Sequence, residues 1–207
     1  MRIVNSWRNG LTILNAEDIL IEKSVFADTN GDWPQDGLDI EANRGSYVPS
    51  VTNIRIMNNL FYGNDGYGLH IDKMGGPRNI TIKGNYFSDN LRAAVAGNGN
   101  GVVVTDNLFE NSSRSTNERI YGRGSAERLG SVFLSRGASN VAVENNAFEA
   151  IDAGEALLYV TGRSGTGHTF VGNCIYDVDV REIKDRRGRV RRVNNEFRRS
   201  GCPDPRR

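Results

Sequence analysis

The sequence is poor in histidine and cysteine, with two of each among its 207 residues. Two histidines cannot form a His-rich metal site, and two cysteines cannot form a disulfide framework. Long apolar runs are also missing, and the longest is far too short to span a bilayer. The N-terminus lacks the charged, apolar and small-residue order of a signal peptide. We therefore expect no membrane partner, and either a secreted, extracellular protein whose signal is absent from this chain or a cytoplasmic protein.

One nine-residue pattern recurs along the chain in place of any helical periodicity. Its copies are DILIEKSVF at 18–26, NIRIMNNLF at 53–61, NITIKGNYF at 79–87, GVVVTDNLF at 101–109, NVAVENNAF at 140–148 and HTFVGNCIY at 168–176. In each copy apolar residues alternate with polar ones, which is the period of a strand with one buried face. The pattern predicts a series of short strands.

Two columns of the repeat are nearly uniform. The aromatic column, which closes every copy, consists of Phe26, Phe61, Phe87, Phe109, Phe148 and Tyr176. The column two positions earlier is dominated by asparagine and consists of Ser24, Asn59, Asn85, Asn107, Asn146 and Cys174. Asparagine tolerates left-handed turns and hydrogen-bonds through its side chain. We therefore expect a stacked ladder of amides at a bend, with the aromatic rings stacked inside.

The spacing of the copies predicts the architecture. They begin 22 to 39 residues apart, so loops of different length separate fixed strands. Strand-and-turn repeats of about this length indicate an all-β parallel β-helix of about six to seven rungs. We predict one domain over 1–197, with an inserted loop at 112–128 and a basic tail or cap at 198–207. Val4, Asn5 and Trp7 resemble the close of an earlier repeat whose first half is absent, so we expect a portion of a longer protein, or association through an uncapped N-terminal end.

The C-terminal tail is basic. Residues 181–207 hold 11 basic and 4 acidic residues, so this segment either binds an anionic polymer or forms a solvated end-cap. Aromatic residues are sparse there, which argues against nucleic acid as a partner. Cys174 and Cys202 can form one bridge that pins the tail to the last repeat, and such a bridge would imply an oxidising compartment.

The repeat, with its asparagine and aromatic columns, resembles the right-handed parallel β-helix repeat family, within the pectate-lyase-like superfamily. The resemblance covers residues 3–197. It implies a right-handed parallel β-helix. Members of the superfamily are mostly polysaccharide lyases, glycoside hydrolases, uronan epimerases and phage tailspike domains, whose substrates lie along a groove on one long sheet. A polysaccharide is therefore the expected partner.

The second strand of each turn should present one face to solvent. In DGLDIE at 36–41 and GYGLHID at 66–72, the aliphatic residues point inward. Asp39 should then stack on His70, and Glu41 on Asp72, with Asp36 at the start of its strand. Later turns are predicted to add the outward residues Ala96, Asn98, Phe133, Ser135, Arg136, Tyr159, Thr161 and Arg163.

An acid beside a histidine suits proton transfer, because the carboxylate orients the imidazole and raises its basicity. We interpret His70 as the acid or base, Asp39 as its orienting group and Tyr67 as the partner for proton return. The candidates for neutralising a substrate carboxylate are Lys73, Arg92 and Arg136. The candidates for binding the substrate are Asp36, Arg92, Phe133, Tyr159 and Arg163.

Calcium is the one cofactor that the acidic residues suggest. Glu41 and Asp72, together with Asp36, could supply the oxygen ligands that hard cations take. The alternative is that these acids form only the polar outer face of two solvated turns. His168 lies at a strand start next to glycine, and we expect it at the surface.

We predict a carbohydrate-active protein, either a lyase acting by β-elimination or a uronan C5-epimerase, on an acidic polysaccharide. The string YGLH at 67–70 resembles the YG-x-DPH signature of mannuronan epimerases, although it lacks the Asp-Pro pair. A glycoside hydrolase is an alternative and would need two carboxyl groups, Asp39 with either Asp72 or Asp36. Further alternatives are a non-catalytic glycan-binding or tailspike-like module and a structural spacer.

Overall fold

The computed structural model describes residues 1–41, 51–72, 76–111, 130–151, 156–185 and 187–206. The first twelve strands are β1 (Arg2–Val4), β2 (Leu11–Ile13), β3 (Ala16–Glu17), β4 (Leu20–Glu22), β5 (Val25–Ala27), β6 (Leu38–Ile40), β7 (Val51–Met57), β8 (Leu60–Tyr62), β9 (Leu69–Ile71), β10 (Arg78–Lys83), β11 (Tyr86–Ser88) and β12 (Val95–Gly97). The remaining strands are β13 (Asn100–Thr105), β14 (Leu108–Glu110), β15 (Gly130–Leu134), β16 (Ala142–Glu144), β17 (Ala147–Ile151), β18 (Ala156–Val160), β19 (His168–Val171), β20 (Cys174–Val178), β21 (Arg181–Asp185), β22 (Val190–Val193) and β23 (Glu196–Phe197).

The strands form three parallel sheets that run along one axis. The first sheet has the order β1-β5-β8-β11-β14-β17-β20-β23. The second is β22-β19-β16-β13-β10-β7-β3, with β4 also paired to β7, and the third is β2-β6-β9-β12-β15-β18-β21. The third sheet contains seven strands, one for each turn of the coil, so the predicted parallel β-helix and its number of rungs are confirmed. Across the described segments, no helix has the length and apolar composition of a membrane span.

A stack of phenylalanine rings fills the interior beside the first sheet. Phe26, Phe61, Phe87, Phe109 and Phe148 have no exposed surface. Neighbouring rings along this series lie 4.8–5.2 Å apart and within 11° of parallel. The predicted aromatic column is therefore confirmed for its first five members.

The predicted alignment of the last copy of the repeat, HTFVGNCIY at 168–176, is wrong by one residue. Phe148 pairs with Ile175 rather than with Tyr176, and Asn173 takes the position expected for Cys174. Because successive side chains of a strand point to opposite faces, this single shift exchanges the two sides. Ile175 is buried in the core, and Cys174 faces away from it.

The predicted asparagine ladder is present and hydrogen-bonded throughout. The Oδ1 atom of Asn107 accepts from the backbone N of Asn85 at 2.8 Å and from its Nδ2 at 3.0 Å. The Nδ2 atom of Asn107 donates in turn to Oδ1 of Asn146 at 3.0 Å and to Ile82 O at 2.9 Å. The series continues through Asn173 to Asn195. These bonds satisfy polar groups that are otherwise buried at the bend.

Left-handed geometry falls on the residue before each ladder asparagine rather than on the ladder itself. Asn58, Asp106 and Asn145 have φ values of 56°, 55° and 54°. Glycine occupies the equivalent place at Gly84 and Gly172, with φ of 66° and 64°. A second, shorter ladder was not predicted and links Thr29, Asn64 and Asn90 at the following bend.

The C-terminal tail folds back along the first sheet. Cys174 and Cys202 form a disulfide with Cα atoms 5.8 Å apart. The backbone N of Cys202 donates to Oε1 of Glu149 at 2.6 Å. Further along, the guanidinium carbon of Arg206 lies 5.0 Å from the centre of the Tyr86 ring. The tail therefore spans the strands between β20 and β11.

Replacing Asn107 with alanine should destabilise the protein by about 2–4 kcal/mol, because several buried donors and acceptors lose their partner at once. The measurement is chemical unfolding of the native protein and the variant. The matched control is Asn100→Ala, which removes an exposed amide from the surface and should cost less than about 0.5 kcal/mol. Equal effects of the two substitutions would contradict a structural role for the inner ladder.

Removing the disulfide through the double substitution Cys174→Ser and Cys202→Ser should cost about 3 kcal/mol. The bridge joins residues 28 apart in sequence and so restricts the unfolded chain. Denaturant unfolding of the variant should match that of the native protein after reduction. An unchanged unfolding midpoint in both would mean that the bridge does not stabilise the fold.

Candidate active site

Three successive turns place a short motif of the same shape at the start of the third sheet. The motif reads NGLT at 9–12, DGLD at 36–39 and YGLH at 67–70. Backbone hydrogen bonds from Gly10 N to Asp36 O and from Gly37 N to Tyr67 O align the three turns. First positions therefore form one column and fourth positions another. The predicted stacking of Asp39 on His70 is confirmed by the register of β6 and β9.

The glycine at the second position of the motif is required by the close approach of the turns. A Cβ atom on Gly10 would lie 2.4 Å from Gly37 O, and one on Gly37 would lie 2.7 Å from Gly68 O. Such contacts are too short for carbon beside oxygen, so only glycine allows the backbones to pack this closely. The two flanking columns are thereby held side by side.

Two carboxylates converge on one ring nitrogen of His70. Its Nδ1 atom lies 3.1 Å from Oδ1 of Asp39 and 3.4 Å from Oδ2 of Asp36. The side chain of His70 is 24% exposed, whereas those of Asp36 and Asp39 are 0% and 5% exposed. Asp36 was predicted to bind the substrate, but its burial makes it a support for His70. The imidazole is therefore the part of the cluster that a ligand can reach.

Asn9 and the backbone of Tyr67 orient the two carboxylates. Asn9 Nδ2 donates to Oδ2 of Asp39 at 3.1 Å, and Asp36 N donates to Oδ1 of Asn9 at 3.1 Å. The backbone N of Tyr67 donates to Oδ1 of Asp36 at 2.8 Å. Asp36 Oδ2 is buried, and among the described residues it makes no hydrogen bond besides its ionic contact with His70. Sequence reasoning missed Asn9, and alignment of NGLT with DGLD and YGLH would have found it.

Charge pairing controls the protonation of this cluster. Burial alone would lower the pKa of His70, but the hydrogen bonds and negative charges of Asp36 and Asp39 outweigh burial and raise that pKa to about 10. Burial raises the pKa of the Asp36 carboxyl, against the opposing effect of His70. At neutral pH, His70 is an imidazolium whose Nδ1 proton is held by the carboxylates.

An aromatic ring and a second cation adjoin the imidazolium. The rings of Tyr67 and His70 stack with centroids 5.0 Å apart, and the guanidinium carbon of Arg92 lies 4.2 Å from the centre of the Tyr67 ring. Tyr67 also packs with Ala93 and Ala96 in a small apolar cluster that is separate from the main core. Arg92 therefore contacts Tyr67, and both side chains are buried, at 6% and 7% exposed, although the sequence predicted that they act on the substrate.

The remaining predicted residues lie further along the third sheet. Phe133 and Tyr159 continue the column that contains His70, with Ala96 between, as expected. Arg136 and Arg163 are exposed in the turns after β15 and β18. Arg136 thus lies two turns from His70, about 10 Å along the axis. Lys73 and the inserted loop 112–128 lie outside the described residues.

One group of potential metal ligands is present in the described part of the chain. Single ligand atoms of Asp36, Asp39 and His70 lie within 4.8 Å of one another. The imidazole nitrogen suits a transition metal better than calcium, which takes oxygen ligands. A metal would also have to displace the proton on Nδ1, so metal binding and the imidazolium exclude each other. Calcium at Glu41 and Asp72, which adjoin each other at the ends of β6 and β9, stays a prediction.

His168 is a buried structural residue, and its expected surface position was wrong. It is 1% exposed, and its Nε2 atom lies 2.9 Å from Oγ of Ser164. Burial and then the positive charge of Arg189 lower the pKa of His168. The burial of His168 could not be predicted from its position at a strand start next to glycine, because it depends on how the neighbouring turn packs against it.

The pKa values of the two histidines should be shifted in opposite directions from the ordinary value. NMR of tag-free protein should give one imidazole that stays protonated up to a pKa of about 10 and one that titrates below 6.5. Since His70 has a raised pKa in the folded state, its contribution to stability is complete below pH 6.5 and is lost as the pH rises towards 10. His70→Gln assigns the signals. Two signals titrating together near 6.5 would contradict the pairing of His70 with Asp36 and Asp39.

Comparison with known proteins places the fold in a family. The family described as "Right handed beta helix region" matches residues 42–197. Two similar solved structures are A-modules of Azotobacter vinelandii mannuronan C-5 epimerases. The AlgE4 module has a TM-score of 0.64 and 15% identity over 91% of this chain and 55% of its own. The AlgE6 module has a TM-score of 0.65 and 19% identity over 95% of this chain and 57% of its own.

This chain therefore spans little more than half the length of either module. At such identity, the likeness extends to the fold alone. No curated protein matches the sequence significantly. The family match covers well over half of the chain and agrees with the three parallel sheets, the phenylalanine stack and the asparagine ladder. The chain belongs to the right-handed β-helix family.

Proposed function

We propose that the protein acts on the uronate residues of an acidic polysaccharide, by C5-epimerisation or by β-elimination. The observation that carries this proposal is the partly exposed imidazolium of His70, held by the buried pair Asp36 and Asp39 beside Tyr67 and Arg92. The fold shared with two mannuronan C-5 epimerase modules supports it.

Both reactions begin when a base removes the proton from C5, the carbon that carries the carboxylate. Neutralisation of that carboxylate makes the proton easier to remove. In epimerisation, an acid then returns a proton to C5 on the opposite face. In β-elimination, the bond from C4 to its oxygen breaks, a C4–C5 double bond forms, and an acid protonates the departing oxygen. Each reaction therefore needs two proton-exchanging groups and one cation.

His70 fits the acid. With a pKa of about 10 it stays protonated at neutral pH, yet it is more acidic than the hydroxyl of a departing sugar. Its Nδ1 proton is engaged by Asp36 and Asp39, so the Nε2 proton is available to the substrate. The interpretation of His70 as either acid or base thus narrows to acid.

Tyr67 and Arg92 fit the other two roles. Tyr67 stacks on His70 and would be the second proton-exchanging group, a role that requires its side chain, 7% exposed, to open towards the sugar. Arg92 contacts the same tyrosine and would neutralise the uronate carboxylate, and its side chain, 6% exposed, needs the same opening. Arg136 lies two turns away and is better placed for a neighbouring sugar. Lys73 remains a further candidate for the cation.

The hydrolase alternative is weaker because the carboxylates that it needs are already engaged with His70. A hydrolase needs two carboxyl groups that reach opposite sides of the glycosidic bond. Asp36 and Asp39 are buried beneath the imidazole and are both engaged with His70. We further infer a secreted protein, since the bridge between Cys174 and Cys202 suits an oxidising compartment.

The reaction is tested by incubating the protein with mannuronan and polygalacturonate in D₂O. Epimerisation should introduce deuterium at C5 without ultraviolet absorbance, whereas β-elimination should give an absorbing unsaturated product. His70→Gln should lower turnover by about 100-fold or more, because the acid is lost. The proposal is overturned if no uronan shows either deuterium exchange or ultraviolet absorbance, with or without added calcium.

A control is needed because His70→Gln leaves two buried carboxylates unpaired and can destabilise the fold. The double variant Asp36→Asn with His70→Gln removes part of that charge and should be folded but inactive. Asn100→Ala, which removes an exposed amide at the start of β13 in the second sheet, should retain native turnover. If folded His70 variants bind the polymer and the native protein never turns it over, the chain is a glycan-binding module.

A further inference from the structure

We propose that Phe133, Tyr159 and Lys184 form a second binding station, which holds a uronate residue of the same polysaccharide away from the reacting one. The choice of ligand rests on the proposed function. The station itself is built from residues on three successive turns of the third sheet. Lys184 was not among the residues predicted from the sequence.

The three residues lie in line with His70. The pairing of the third sheet gives the continuous column His70, Ala96, Phe133, Tyr159 and Lys184. With turns about 4.8 Å apart, Tyr159 lies about 14 Å and Lys184 about 19 Å along the axis from His70. A polysaccharide lying along the sheet would pass over both places.

The station has the chemistry that a charged sugar requires. The rings of Phe133 and Tyr159 meet at 65° with centroids 5.5 Å apart, and both side chains are partly exposed. The Nζ atom of Lys184 lies 4.5 Å from the centre of the Tyr159 ring. Aromatic rings pack against the C–H face of a sugar, and the ammonium group can then pair with its carboxylate.

The apolar surface is continuous with the catalytic cluster. Phe133 packs against the cluster of Tyr67, Ala93 and Ala96, outside the main core. Ala96 separates His70 from Phe133 in their column, and its side chain is small. A sugar chain can therefore pass from the imidazolium to the aromatic pair without crossing a large side chain in this column.

Charge selects an anionic occupant at this end. Arg136 and Arg163 are exposed in the turns after β15 and β18, three residues after Phe133 and four residues after Tyr159. Lys184 adds a third positive charge, whereas the acids Glu41 and Asp72 lie at the opposite end. A neutral glycan would gain only the aromatic contacts. Charge complementarity thus favours a polyuronate.

A remote station of this kind contributes to binding rather than to the chemical step. Interactions that are equal in the ground state and the transition state lower KM and leave kcat unchanged. Lys184→Gln should therefore weaken binding of mannuronan and polygalacturonate about fivefold at low salt. Lys184→Arg should retain most of the affinity, and Tyr159→Ala should lose up to about tenfold.

Affinity gel electrophoresis with each polymer measures binding without any turnover. The matched control is Lys83→Gln, since Lys83 is an exposed lysine of the second sheet that pairs with Asp106 at 3.4 Å. This control and dextran as the neutral polymer should show no change. Where turnover is detected, Lys184→Gln should raise KM and leave kcat within about twofold.

The outcomes separate the two proposals. Weaker polyuronate binding by Lys184→Gln and Tyr159→Ala supports the station even if no reaction occurs, in which case only the proposed reaction fails. Turnover with unchanged KM in both variants overturns the station and leaves the reaction standing. Equal effects of Lys184→Gln and Lys83→Gln, no polyuronate binding by the native protein, or a preference for nucleic acid would also overturn it.

Discussion

The hydrogen-bonded column of asparagine side chains is the constraint on which the rest of the structure depends. Each inner amide accepts from the turn before and donates to the turn after, so every turn must bend at the same place. A slip of one residue would send each following side chain to the opposite face. By fixing the bend, the ladder also fixes which residues of the third sheet face outward, and so brings Asp39 beside His70.

The charged cluster is a departure that the scaffold does not require. Ala93 and Ala96 occupy the same two columns one turn after Tyr67 and His70, and the fold accommodates them equally well. Buried charges give little net stability compared with apolar groups of similar size, because their desolvation offsets their attraction. The chain nevertheless holds two buried carboxylates, with Asn9 arranged to support them. Such an arrangement is better explained by what it does to His70 than by stability.

The sequence predicted what depends on repetition and missed what depends on contact between turns. Alternation and the asparagine column were enough for the fold and for the stacking of Asp39 on His70. They failed at Ile175, where the aromatic position is aliphatic and the neighbouring tyrosine misled the alignment by one residue. They also missed the burial of Asp36, since a residue at a strand start has no alternation to show which way it points. Lys184 was missed because its turn lacks an aliphatic strand pattern.

A parallel coil allows the proposed reacting cluster and the proposed binding station to lie on different turns along its axis. Each turn contributes one residue to a given column, so a residue can change without moving its neighbours in the other turns. The proposed proton-transfer groups lie in the glycine-spaced motifs DGLD and YGLH, whose turns approach too closely to allow a side chain at Gly37. The station at Tyr159 and Lys184 needs only side chains that stack and pair. Residues of the later turns can therefore change while the cluster of Asp36, Asp39 and His70 stays intact.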